Sequence, residues 1–129
     1  MSNVEVVRGF YDAVARGDLD TAMAKLADDV TWTEAEGFPY AGTKVGPAAV
    51  EEQVFRRLGA EWDPFVFERD EVLDAGDTVV GVGTYAATYK ATGKSMRARV
   101  VHVFKLRDGM IAAFEQFVDS VKVAEALEG

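Results

Sequence analysis

Residues 96–117 read MRARVVHVFKLRDGMIAAFEQF, and their alternation decides the fold. Met96, Ala98, Val100, His102, Phe104 and Leu106 share one face of an extended chain, while Arg97, Arg99, Val101, Val103, Lys105 and Arg107 share the other. Side chains of a strand point alternately to its two faces, so the first set marks the buried side. His102 is the only histidine in the chain, and it falls in that apolar set. A polar ring there needs a partner or a cavity. The reading taken is that it faces a cavity; the plain alternative is a core histidine bonded to a carboxylate or to backbone.

The turn at Arg107-Asp108-Gly109 closes a hairpin. A three-residue turn with Gly109 in a left-handed bulge pairs Leu106 with Met110, puts Phe114 opposite His102 and leaves Gln116 diagonal to it. A two-residue Asp108-Gly109 turn would instead bring Glu115 opposite His102.

Working outward, the strand before this hairpin runs from Thr78 to Lys90, with a turn at Thr92-Gly93-Lys94. Its Gly81 and Gly83 signal a bend or a close backbone approach. Phe65 to Leu73 is a further strand, joined through Asp74-Ala75-Gly76-Asp77. Upstream the period becomes helical. Val4, Val7, Tyr11 and Val14 form one stripe, and Leu19, Met23, Leu26 and Ala27 a second, separated by Gly17 and an N-capping Asp18. Val30 to Glu34 reads as a short strand, Glu36 to Gly46 as a loop over the open end of the domain, and Pro47 to about Gly59 as a third helix. Val121 to Leu127 is a short last helix. Helices first and a strand meander after give a single α+β domain over residues 1–129, with helices on one face of an antiparallel sheet.

Composition bounds the function. The chain is 49% hydrophobic and 28% charged, as expected of a globular domain. Its net charge of -8 argues against nucleic acid, whose phosphates need clustered Lys and Arg. It has no cysteine, so thiol nucleophiles and disulfides are excluded. One histidine and scattered carboxylates make no metal cluster, and neither a metal nor a cofactor is expected. No basic head and apolar run resembles a signal peptide, and no stretch approaches the roughly 20 apolar residues of a membrane span. A soluble, cytoplasmic protein is expected.

The segments FYDAVARGDLDTAMAKLADDVTW, PYAGTKVGPAAV, VVHVFKLRDGMI and FEQFVDS resemble the SnoaL-like and ketosteroid-isomerase-like group of the NTF2-like superfamily. The resemblance covers nearly the whole chain. It implies a cone, in which a curved antiparallel sheet wraps around the N-terminal helices and encloses an apolar pocket. It also favours the first hairpin register. Carried over residue by residue, it puts Glu34 at the place of the isomerase base, His102 at that of the protonated aspartate and Phe10 at that of the tyrosine donor. Against the epoxide hydrolases of the superfamily, Arg69 and Glu71 match the first pair of their Arg-Asp-Asp set, and Gln116 stands where a carboxylate would be.

The candidate catalytic groups are therefore His102 and Glu34, with Glu36 as the alternative inward carboxylate. Trp32, Phe38, Tyr40, Phe55, Arg69, Glu71, Phe104 and Gln116 are the candidate ligand contacts. For Arg69 and Glu71 an ordinary ion pair is the favoured reading, and for the aromatics core packing is the plain one. Three function classes follow: an enzyme doing acid/base chemistry on an apolar, cyclic or polyketide-like molecule, a non-catalytic binding domain, or a structural dimer with a vestigial pocket. A homodimer is expected through the outer sheet face, where Val101, Val103 and Phe117 would lie with Arg99, Glu115 and Tyr85.

Overall fold

The computed structural model describes residues 1–128. Helix α1 (Asn3–Ala15) starts where Ser2 and Glu5 cap each other reciprocally. Helix α2 (Leu19–Met23) starts on Asp18, whose carboxylate accepts from the Thr21 backbone amide. Both apolar stripes turn toward a six-stranded sheet built from β1 (Leu26–Glu34), β2 (Gly42–Val45), β3 (Trp62–Ala75), β4 (Thr78–Tyr89), β5 (Ser95–Arg107) and β6 (Met110–Val118). Helix α3 (Pro47–Val50) passes through a π-helical turn (Glu51–Phe55) into α4 (Arg56–Glu61), and α5 (Ser120–Leu127) follows the last strand.

The strand order is β2-β1-β6-β5-β4-β3. The sheet is curved and unclosed, and the helices pack on its concave side; the expected α+β cone is the observed architecture. One detail is corrected. The sheet is not wholly antiparallel, because β1 and β6 pair in parallel. No hairpin joins those two strands, so nothing imposes the antiparallel sense that the meander β3–β6 has. Two other boundaries move. The chain leaves the second helix at Met23, and Leu26 and Ala27 already belong to β1. The expected loop Glu36–Gly46 contains β2, which pairs with β1.

The hairpin register also differs from both expectations. Asp108 and Gly109 both have positive φ, 53° and 75°, and form a tight two-residue turn that pairs Arg107 with Met110. A bulge then shifts the ladder between Lys105 and Leu106, leaving Ala112 as the extra residue. The result sets Gln116, rather than Phe114 or Glu115, opposite His102, with Phe114 opposite Phe104. The faces survive the shift: His102, Phe104, Phe114 and Gln116 are buried, while Glu115 and Phe117 are exposed.

Two adjoining apolar clusters fill the concave side. One joins Val7, Phe10 and Leu26 to Trp32, Phe104 and Phe114. The other joins Phe38, Tyr40 and Trp62 to Tyr85, Val100 and Val123. Among the described residues, no helix is long and apolar enough to cross a membrane.

Candidate functional site

Between the two clusters lies a cavity of about 580 Å³. Its polar wall is contributed by β1, β4, β5, β6 and α1, which bring Glu34, Tyr85, His102, Gln116 and Tyr11 together. Its apolar wall includes Phe10, Trp32, Phe38, Phe55, Phe65 and Phe67. The exposed lining residues, Gly17, Gly59, Asp63, Pro64 and Lys90, mark the rim. The loop after β1 reaches the cavity through Phe38, which is buried in its wall.

Glu34 ends β1 and is only 4% exposed. Trp32 lies on the same face two residues earlier, stacked on Phe114 at 3.6 Å and 11°, and its indole N–H donates to Glu34 Oε2 at 3.3 Å. That bond and the nearby Lys44 ammonium favour the carboxylate, but burial outweighs both and pushes the Glu34 pKa up to about 7. Lys44 itself is spent on the loop. Its ammonium donates to the carbonyls of Tyr40, Ala41 and Gly42 and so holds the turn that brings Phe38 and Tyr40 inward. Glu36, the alternative carboxylate, is exposed.

His102 is 5% exposed and has both ring nitrogens engaged. The Tyr11 hydroxyl lies 2.8 Å from Nδ1, and the Tyr85 hydroxyl 2.6 Å from Nε2. Gln116 Nε2 donates to the Tyr85 hydroxyl at 2.8 Å, and its Oε1 accepts from the Ala35 backbone amide at 3.0 Å. Burial disfavours the imidazolium and lowers the His102 pKa to about 3. The ring is therefore neutral near pH 7, and His102 is at once a cavity wall and a satisfied core histidine.

The room for this arrangement comes from β4. Gly81 pairs with His102, and a Cβ on Gly81 would lie 2.0 Å from the Tyr11 hydroxyl. A Cβ on Gly83 would meet the Glu68 carbonyl at 2.2 Å. The close approach read from these two glycines is present at both.

Of the sequence candidates, Glu34, His102, Trp32, Phe38, Phe55 and Gln116 line the cavity. Phe104 is fully buried behind it, against Phe10 and Phe114. Tyr40 is buried in the second cluster, where it donates to Glu61. Arg69 and Glu71 need correction: they line a separate surface groove, where Arg69 pairs with Asp12 at 2.6 Å and not with Glu71. The β-bulge between Arg69 and Glu71 re-aims this part of the edge strand. Tyr85 is also corrected, from the outer face to the cavity wall, because it pairs with inward-facing Ala98. Tyr11 and Tyr85 are the two polar wall groups the sequence reading missed. A tyrosine inside an apolar stripe needs a partner for its hydroxyl, and that was the available signal. No three acidic or histidine side chains gather as metal ligands among the described residues.

Comparison with known proteins follows the same line. A search among curated proteins finds no match. A crystallised NTF2-like protein from Burkholderia thailandensis is 45% identical over 100% of this chain and 99% of its own, with a TM-score of 0.97. An NTF2-like protein from Burkholderia pseudomallei is 30% identical over the whole of both chains, with a TM-score of 0.90. TerC, co-crystallised with polyporic acid, is 25% identical over 98% of each chain, with a TM-score of 0.87. Residues 7–114 match the SnoaL-like domain family. With that match spanning most of the chain and the cone observed in full, the protein belongs to the SnoaL-like family of the NTF2-like superfamily.

Proposed function

We propose that the protein is a small enzyme that moves a proton on an apolar carbonyl compound, cyclic or polyketide-like, with Glu34 as general base. The observation that carries this reading is a buried carboxyl on a cavity wall whose pKa lies at about 7. A base works best when its pKa lies near the working pH. Aromatic walls with a few convergent polar groups suit an apolar ligand of ring-like shape. In the step envisaged, the Glu34 carboxylate takes the proton from carbon beside the carbonyl. The C–H electron pair becomes the new C=C bond, and the carbonyl oxygen takes up charge beside the phenol groups of the wall. Glu34, now neutral, returns the proton to carbon elsewhere on the ligand. Relatedness to TerC, which was co-crystallised with polyporic acid, supports a small organic ligand.

The second reading, a binding domain without chemistry, draws on His102. Its neutral ring, engaged on both nitrogens, leaves Glu34 as the one wall group titrating near pH 7. A test probe is 2-tetralone in heavy water, followed by proton NMR. Deuterium uptake beside the carbonyl that Glu34→Gln abolishes supports the enzyme. Binding without added exchange supports the binding domain, and absence of both binding and exchange counts against a carbonyl ligand.

A further inference from the structure

We propose that Tyr11 is the residue that donates a hydrogen bond to the ligand, and that Gln116, Tyr85 and His102 act as a one-way line of positioning groups that frees its proton. The proposal rests on the reading of the cavity as the site of a carbonyl ligand, and it assigns that ligand an acceptor oxygen at this point.

The direction of the line follows from its fixed end. The Ala35 backbone amide can only donate, so Gln116 must turn its carbonyl oxygen to it at 3.0 Å. The side-chain amide nitrogen of Gln116 then faces Tyr85, to which it donates at 2.8 Å. The Tyr85 oxygen has accepted one bond, and its own proton points to His102 Nε2 at 2.6 Å. A neutral imidazole has one donor and one acceptor. With Nε2 accepting, Nδ1 carries the proton and donates to the Tyr11 hydroxyl oxygen, 2.8 Å away. The Tyr11 proton is the one left over. Among the described residues it has no other recorded partner, and Tyr11 lines the cavity.

The opposite polarity would move the unpartnered proton from Tyr11 to Tyr85, which also lines the cavity. It would make Tyr85 accept from both Gln116 and His102 while its own proton goes unused in a buried position. A buried donor without a partner is costly in either polarity, and in the one proposed a ligand oxygen relieves that cost at Tyr11. In the polarity proposed, Tyr85 and His102 each accept once and donate once. The geometry around Tyr11 is fixed from the other side as well: only a glycine at 81 leaves space for the hydroxyl, and Phe67 and Phe104 flank the phenol ring. A neutral His102 is a condition of the scheme, since an imidazolium would donate from both nitrogens and reverse the Tyr85 bond.

The chain has a single histidine, so one isotope label reads the polarity directly. Protein carrying 15N-histidine is expected to show Nδ1 protonated and Nε2 bare from pH 5 to 9. Tyr85→Phe removes the donor to Nε2 and is expected to shift the ring toward the Nε2–H form. With 2-tetralone as the probe, the carbonyl stretch is expected at lower frequency in the unmutated protein than in Tyr11→Phe. The same substitution is expected to weaken 2-tetralone about tenfold and leave tetralin, which lacks the oxygen, unchanged. An Nε2–H ring in the unmutated protein overturns the proposal, as does an unaltered carbonyl stretch in Tyr11→Phe. If Glu34→Gln leaves that stretch intact and the unmutated protein shows no deuterium exchange, the base assignment fails while the donor assignment stands.

Discussion

The indole N–H of Trp32 points along its own strand to the carboxylate of Glu34, 3.3 Å away. Alternation places the two residues on one face, and the Phe114 ring stacked beneath Trp32 fixes the direction of the indole. The bond opposes burial, which dominates and raises the Glu34 pKa to about 7.

Trp32→Phe keeps an aromatic ring over Phe114 and removes the donor. The Glu34 pKa is expected to rise further, since the lost bond favoured the charged form. The acid limb of any activity should then move to higher pH, which a pH profile of tetralone exchange measures. A limb that stays in place would mean that the indole has no hold on the carboxylate.

Glu34 and His102 act on stability with opposite signs. Glu34 has a raised folded pKa, so its stabilising contribution is full below about 4.5 and lost as pH rises to about 7. His102 has a depressed folded pKa, so its contribution is full above about 6.5 and lost as pH falls toward about 3. Between roughly pH 4.5 and 6.5 the two slopes cancel, each being about 1.4 kcal/mol per pH unit. Denaturant unfolding of Glu34→Gln should show stability falling from pH 6.5 downward. In His102→Gln it should rise on acidification from pH 7 to 4.5. At pH 8 Glu34→Gln should be the more stable protein by roughly 3 kcal/mol, because no charge is buried. Parallel pH curves for the two variants would contradict the assignment.

Gly81→Ala would put a methyl group against the Tyr11 hydroxyl. Overpacking of this kind costs about 1–3 kcal/mol. The loss should shrink in a Tyr11→Phe background, because the closest contact is to the oxygen. A double-mutant cycle by chemical denaturation checks the coupling, and additive losses would show that the phenol does not sit over Gly81.

The convex face carries Phe117, 51% exposed, paired with Val101, and Val103 between Val80 and Glu115. We propose that a second copy covers this face. Arg99 is already held by Asp70 at 2.6 Å, so apolar contact rather than an Arg99–Glu115 pair would form the centre. Val103→Glu should then give a monomer in sedimentation at micromolar concentration. A monomeric unmutated protein under the same conditions would end the dimer.

Much of this architecture was legible in the chain. The alternation of residues 96–106 assigned the faces of β5, and the parity of Trp32 and Glu34 was visible in the same way. What escaped was set by geometry that spans the sheet. The turn at residues 91–94 decides that Tyr85 pairs with Ala98 and so faces inward, and no local pattern fixes that register. The bulge at Lys105/Leu106 moves Gln116 opposite His102, and Ala112 carries no bulge signal of its own. Tyr11 read as one member of an apolar helical stripe. Only the approach of α1 to Gly81 shows that its hydroxyl reaches the histidine.

The titration of Glu34 tests the central claim most directly. Protein labelled with 13C at the glutamate carboxyl carbon can be followed by NMR from pH 3 to 9, with Glu34→Gln identifying the resonance. A midpoint near 7, absent from that variant, is expected for the buried cavity base. A midpoint near 4.5, the value of an ordinary carboxyl, would contradict it.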